Sequence, residues 1–207
     1  VNLPNNPNGY YISWHRCCRN AGIANVNAPG SSGYVFYAEI PNPVLQNSTP
    51  VFSKYPDAYM CAGYDNIDNF VASDPDGDSL VYSLTVPLDC ATNNICNINP
   101  APGPAPAPYT TIPWQAPYSF TNIMGDPAMA VNSKTGIVTT KPPTQGKFVF
   151  CVRVEEFRGG VKIGEIRRDV QYAVLPCQIP SVNITGPNPL CLGQTTTLTA
   201  AGGTNYI

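Results

Sequence analysis

The sequence predicts an all-β chain of tandem antiparallel β-sandwich domains with a proline-rich loop insertion. Three observations predict this class. The 207 residues include 23 prolines and 17 glycines, which punctuate the chain into short extended segments. Those segments alternate apolar and polar side chains with a period of two, as strands with one buried and one wet face do. Hydrophobic residues make up 43% of the chain, enough for a sizeable core in one or two domains.

In chain order, GYYISWHRCC sets Tyr10, Ile12 and Trp14 against Tyr11, Ser13 and His15. GYVFYAEI then presents Tyr34, Phe36, Ala38 and Ile40 to one side. With the linker PNPVLQNSTP, these strands occupy residues 1–50 and read as the C-terminal part of a first β-domain. Residues 51–177 read as a complete second domain. Within it, LVYSLTV presents Leu80, Tyr82, Leu84 and Val86, and KFVFCVRVEEF presents Phe148, Phe150, Val152 and Val154. A turn at Gly159 and Gly160 leads into IRRDVQYAV, which completes a long hairpin. Residues 99–117, NPAPGPAPAPYTTIPWQAP, are too rich in proline for regular sheet. They read either as a stiff surface insertion anchored by Tyr109 and Trp114, or as a recognition loop. From residue 178 a threonine-rich segment reads as the start of a following repeat, cut at Ile207. The chain therefore reads as a window on a longer array.

Composition also excludes. Eleven Lys and Arg against 13 Asp and Glu, with no basic run, make nucleic acid an unsuitable partner. No run of about 18 apolar residues marks a membrane-spanning helix. Catalysis is not expected. GxSxG, P-loop, HExxH and dinucleotide fingerprints are lacking, and His15, the only histidine, reads as a surface or interface residue. Glu155 and Glu156 are neighbours on one strand, so they face opposite ways and cannot flank one bond.

The eight cysteines form no CxxC pair, and one histidine cannot complete a zinc site. Disulfides in an oxidising, extracytoplasmic compartment are expected instead. Cys90 with Cys96, across CATNNIC, is the best local pair, and Cys61 with Cys151 is a second expectation. Cys17 and Cys18, alternating along a strand, are expected to take different partners.

The densest chemistry lies in FVASDPDGDSLVYSL, where Asp74, Asp76 and Asp78 alternate around Gly77. Alternating carboxylates can converge on Ca2+, a hard cation that takes oxygen ligands. Asp74-Pro75-Asp76-Gly77 equally suits a type I turn that needs no ion. Ser79 and Thr85 stand where an EF-hand would place its glycine and bidentate glutamate, so the loop is not an EF-hand.

Two resemblances rest on these motifs. Asp74 to Tyr82, Thr135-Gly136-Ile137, Pro143 to Gly146 and Val152 to Val154 resemble the turn, hairpin and closing strand of the Ig-like, cadherin-like repeat of the dystroglycan type, over residues 51–177. That resemblance implies a Ca2+ site that borrows carboxylates from another loop, for which Asp65, Asp68, Glu155 and Glu156 are the candidates. More broadly, ISWHRCCRN, GYVFYAEI, DPDGDSLVY and FRGGVKIGEIRRDVQYAV resemble segments of very large secreted surface proteins of Bacteroidota, similar to gliding-motility adhesins exported by type IX secretion, with PKD or Ig-like repeats. The implied role is a non-catalytic structural segment of a surface fibre or adhesin, located on the bacterial cell surface. Its implied partners are neighbouring domains of the same chain or identical protomers meeting at unpaired strand edges. Ser79 fits the short Asp-Ser-apolar pattern that such organisms O-glycosylate. The alternative role is a module that binds polysaccharide or another surface through Trp14, Tyr10, Tyr11, Tyr109, Trp114 and Tyr118, side chains that strand spacing equally assigns to the core.

Overall fold

The computed structural model describes residues 2–57, 59–90, 107–177, 183–185, 192, 195–197 and 199–201. Its strands, in chain order, are β1 (Tyr10–Arg16), β2 (Tyr34–Ile40), β3 (Val51–Phe52), β4 (Tyr59–Cys61), β5 (Asn66–Asn69), β6 (Ala72–Ser73), β7 (Ser79–Thr85), β8 (Leu88–Asp89), β9 (Thr110–Thr111), β10 (Ala130–Val131), β11 (Ile137–Thr140), β12 (Gly146–Arg158), β13 (Val161–Leu175), β14 (Asn183–Thr185) and β15 (Thr199–Ala201).

The predicted long hairpin is the spine. β12 and β13 pair antiparallel from Gly146↔Val174 to Arg158↔Val161. Their turn uses Gly159 and Gly160 at φ +60° and +81°, conformations that only glycine adopts without strain. β7 pairs with the other edge of β12, and β2 joins β13 at Ile166↔Ala38. The resulting sheet runs β1-β2-β13-β12-β7, with β4 added to β13 in parallel. A smaller sheet, β10-β11-β5, and the pairs β3-β6 and β8-β9 complete the first unit. The chain is thus all-β and predominantly antiparallel.

Alternation decides which face is buried. Phe148, Phe150, Val152 and Val154 of β12 share a core with Tyr172 and Val174 of β13 and Tyr82 of β7. Phe70, Ala72, Val138, Ile123 and Met124 cover them from the facing layer. Two motif pieces that lie far apart in sequence meet here. The Tyr82 hydroxyl donates to Ala72 O at 3.2 Å and accepts from Ala72 N at 2.9 Å, while its ring lies against Gly136.

The expected boundary after residue 50 is corrected. Val1–Leu175 form one compact unit, because the β1–β2 hairpin extends the sheet of the following domain instead of closing a separate one. The second unit, Pro176–Ile207, carries the antiparallel pair β14-β15.

Two cysteine expectations are also corrected. Cys151 is a free, buried thiol, and Cys61 is disulfide-bonded elsewhere. Cys151 registers with Asp169 on β13 and Cys61 with Leu175. At about 3.3 Å per residue that separates them by roughly 20 Å, far beyond the span of a disulfide. Cys17 and Cys18 bond to each other. β1 ends at Arg16, so strand alternation no longer governs where they point. Cys90 is disulfide-bonded, as is Cys177. Cys96 and residues 99–106 of the proline-rich segment lie outside the described residues. Of its described part, Tyr109 packs edge-on to His15 and Tyr37, and Trp114 packs on the core.

Candidate functional site: an acidic turn closed by an arginine

The turn between β6 and β7 is built by its own side chains. Asp74 Oδ1 accepts from Asp76 N at 2.9 Å and Asp78 N at 3.0 Å. Gly77 N donates to Asp74 O at 3.3 Å, with Gly77 at φ +80°. One oxygen each of Asp74, Asp76 and Asp78 then lies within 4.8 Å of the others. Three carboxylates so close repel in the absence of a cation.

The cation present is a side chain. Arg158, the last residue of β12, donates from Nε to Asp78 Oδ1 at 2.8 Å and from Nη2 to Asp78 Oδ2 at 2.5 Å. Its Nη2 lies 3.8 Å from Asp76 Oδ2. The same guanidinium donates to Leu45 O at 2.8 Å and Asn47 Oδ1 at 2.6 Å. Asp76 Oδ2 in turn accepts from Ser48 N at 2.5 Å. Arg158 therefore ties the turn, the end of the spine and the segment after β2 into one network. The hydrogen bond from Arg158 holds the Asp78 carboxyl below its ordinary range.

Glu156 stands two residues before Arg158 and is fully buried; its carboxyl lies near the Asn47 amide and the Asp78 carboxyl, without a well-formed hydrogen bond to either. Burial foremost raises its pKa to about 7; Asp74 and Asp78 push the same way, and Asn47 opposes in part. Asp74 Oδ2 is buried without a partner. These oxygens suit a hard cation such as Ca2+, and the donor set is all oxygen. Asp78 does not suit one while Arg158 occupies both its oxygens.

The other expected ligands are not brought to this cluster. Asp65 is exposed and sits 3.5 Å from Lys141 Nζ. Asp68 lies on β5, in the other sheet, where its Oδ1 accepts from Asn69 N at 2.6 Å. Glu155 faces away from Glu156 and pairs with Arg153 and Lys162 at 3.1 and 3.4 Å. Of the borrowed carboxylates, only Glu156 stands beside the turn. Ser79 is exposed at the start of β7.

The expected aromatic platform is divided by strand alternation. Tyr11, Tyr37 and Tyr109 cluster on one face of the sheet, whereas Trp14 pairs with Phe36 on the other. Trp114 and Tyr118 pack against the core. His15 is not a surface residue but is 1% exposed, with burial lowering its pKa. Sequence reasoning missed Arg158 as the partner of the acidic turn. The signal was the arginine of the RGG turn, but only strand register places it beside Asp78, through Phe157↔Ser79.

Comparison of the chain with family models, with curated proteins and with solved structures finds no match.

Proposed function

We propose that the chain is a non-catalytic structural segment of a large cell-surface or extracellular fibre, built of tandem β-sandwich modules. The observation that carries this reading is the Arg158 network. It spends a bidentate arginine, two aspartates and the segment after β2 on fastening one part of the fold to another. The bonded cysteines support an oxidising, extracytoplasmic location. In this reading the proline-rich segment is a stiff surface insertion, and the partners are neighbouring modules or identical protomers.

Ca2+ belongs to the proposal as an exchange partner of Arg158. Asp74, Asp76, Asp78 and Glu156 would hold it, and it would supply the positive charge that the arginine now supplies. The test is a set of thermal melts of the whole chain in EDTA or in millimolar Ca2+. Wild type melts alike in both. Arg158→Gln melts lower in EDTA and recovers with Ca2+, and Arg158→Gln/Asp78→Asn does not recover. If Arg158→Gln melts as wild type does, the network has no bracing role. If Ca2+ fails to rescue it, the turn is no cation site.

A further inference from the structure

The β1–β2 hairpin and β13 make one register pair, Ile166↔Ala38, and then part. Arg19, from the segment that joins β1 to β2, bridges this fork. Its Nε donates to Gly33 O at 2.8 Å and its Nη2 to Leu88 O at 3.0 Å, while Asp169 takes both terminal nitrogens. The charges of Arg19 and Asp169 cancel at the floor of a crevice of about 600 Å³. That volume falls within the range of about 300–1,000 Å³ typical of small-ligand sites.

The walls combine two kinds of surface. Trp14 and Phe36, with ring centroids 5.5 Å apart, are 50% and 40% exposed at the mouth. Arg16, Asn20 and Gln171 line the same crevice. The side chains of Arg16 and Gln171 make no hydrogen bond or ion pair, and Asn20 uses only its oxygen, toward Gly22 N. Half-exposed aromatic faces fit the apolar C–H faces of sugar rings, and neutral amides fit hydroxyl groups. Arg16 adds a charge that nothing in the crevice offsets, which selects an anionic ligand.

We propose that this crevice binds a short acidic oligosaccharide, with a uronate carboxylate on Arg16 and a sugar ring against Trp14. This adhesive activity would be additional to the structural role and does not depend on the acidic turn.

The test titrates the whole chain with oligogalacturonate in calcium-free, low-salt buffer, read by tryptophan fluorescence and by calorimetry, with neutral malto-oligosaccharide as comparison. Wild type binds the acidic sugar at least tenfold tighter than the neutral one. Trp14→Ala abolishes binding, and Arg16→Gln weakens the acidic sugar about tenfold while leaving the neutral one unchanged. Thermal melts equal to wild type establish that both variants are folded, and Gln171→Ala, a milder change, serves if Trp14→Ala is not. No binding by wild type at millimolar sugar overturns the proposal, as does binding that neither Trp14→Ala nor Gln171→Ala alters. Concentration-dependent dimerisation lost in Trp14→Ala, without sugar binding, also overturns it and makes the face a contact between copies.

Discussion

Glu156 is a buried carboxyl group beside two aspartates, without a well-formed hydrogen bond, and its protonation is linked to folding. Its pKa rises from an ordinary 4.5 to about 7 in the folded chain. The folded state therefore favours the protonated form. That contribution is complete below about pH 4.5 and is lost as pH rises through 7. Melts between pH 5.5 and 8 are expected to show a falling midpoint, with a loss on the order of 2 kcal/mol. Glu156→Gln, which cannot ionise, flattens this profile; an unchanged profile would remove Glu156 as its cause. Asp78 acts with the opposite sign, since its carboxylate is favoured by Arg158 and its contribution is lost only in acid. Gly136 is constrained differently. It sits at φ +69°, and a Cβ there would lie 2.8 Å from the Tyr82 ring and 3.0 Å from Phe70 O. Gly136→Ala is expected to cost about 2–3 kcal/mol in denaturant unfolding, from backbone strain and overpacking together. This constraint was half legible. The Thr135-Gly136-Ile137 turn could be read from sequence, but not that the tyrosine of the acidic motif packs on its glycine.

At the scale of elements, the period-two pattern placed the strands that build the sheet: β1, β2, β7, β12 and β13. It also assigned Phe148, Phe150, Val152 and Val154 to one face, which is the core face. Alternation is local information and carries no partner. It could not show that β2 joins β13, and so it left residues 1–50 as a separate domain. The acidic turn was legible for the same reason, because its hydrogen bonds span only two to four residues. Arg158 and Asp78, 80 positions apart, are joined only by register. The fork between β2 and β13 was equally invisible. There Arg19 and Asp169 pair with side chains 2% and 6% exposed. Asp169→Asn would leave a guanidinium buried without its counter-charge, and a loss of roughly 3 kcal/mol is expected. Replacing both residues with apolar ones of similar size should recover part of that loss. A double variant no more stable than the single one would mean that the pair contributes shape and not charge compensation.

For the first unit as a whole, the β12 strand of the spine offers a reporter that sequence reasoning assigned to another role. Cys151 stands in β12 between β7 and β13, fully enclosed, and burial pushes its thiol pKa well above the ordinary range. The thiolate is the reactive form, so the native state protects the sulfur by excluding both reagent and ionisation. Its side chain alternates away from Phe150 and Val152, onto the face that Arg19 and Asp169 cover, so reaching it requires displacing that buried pair, which is expected to open only with the unit as a whole. Alkylation of Cys151, located by peptide mass spectrometry, is therefore expected to follow the same denaturant dependence as the loss of tertiary structure. Arg158→Gln and Asp169→Asn should accelerate it in proportion to their loss of stability, provided that reclosing outpaces alkylation. Labelling that proceeds in native buffer at a rate independent of those variants would mean that β12 is reached by local opening. The spine would then not be the last part of the unit to unfold, and its two arginine fastenings would act on its edges alone.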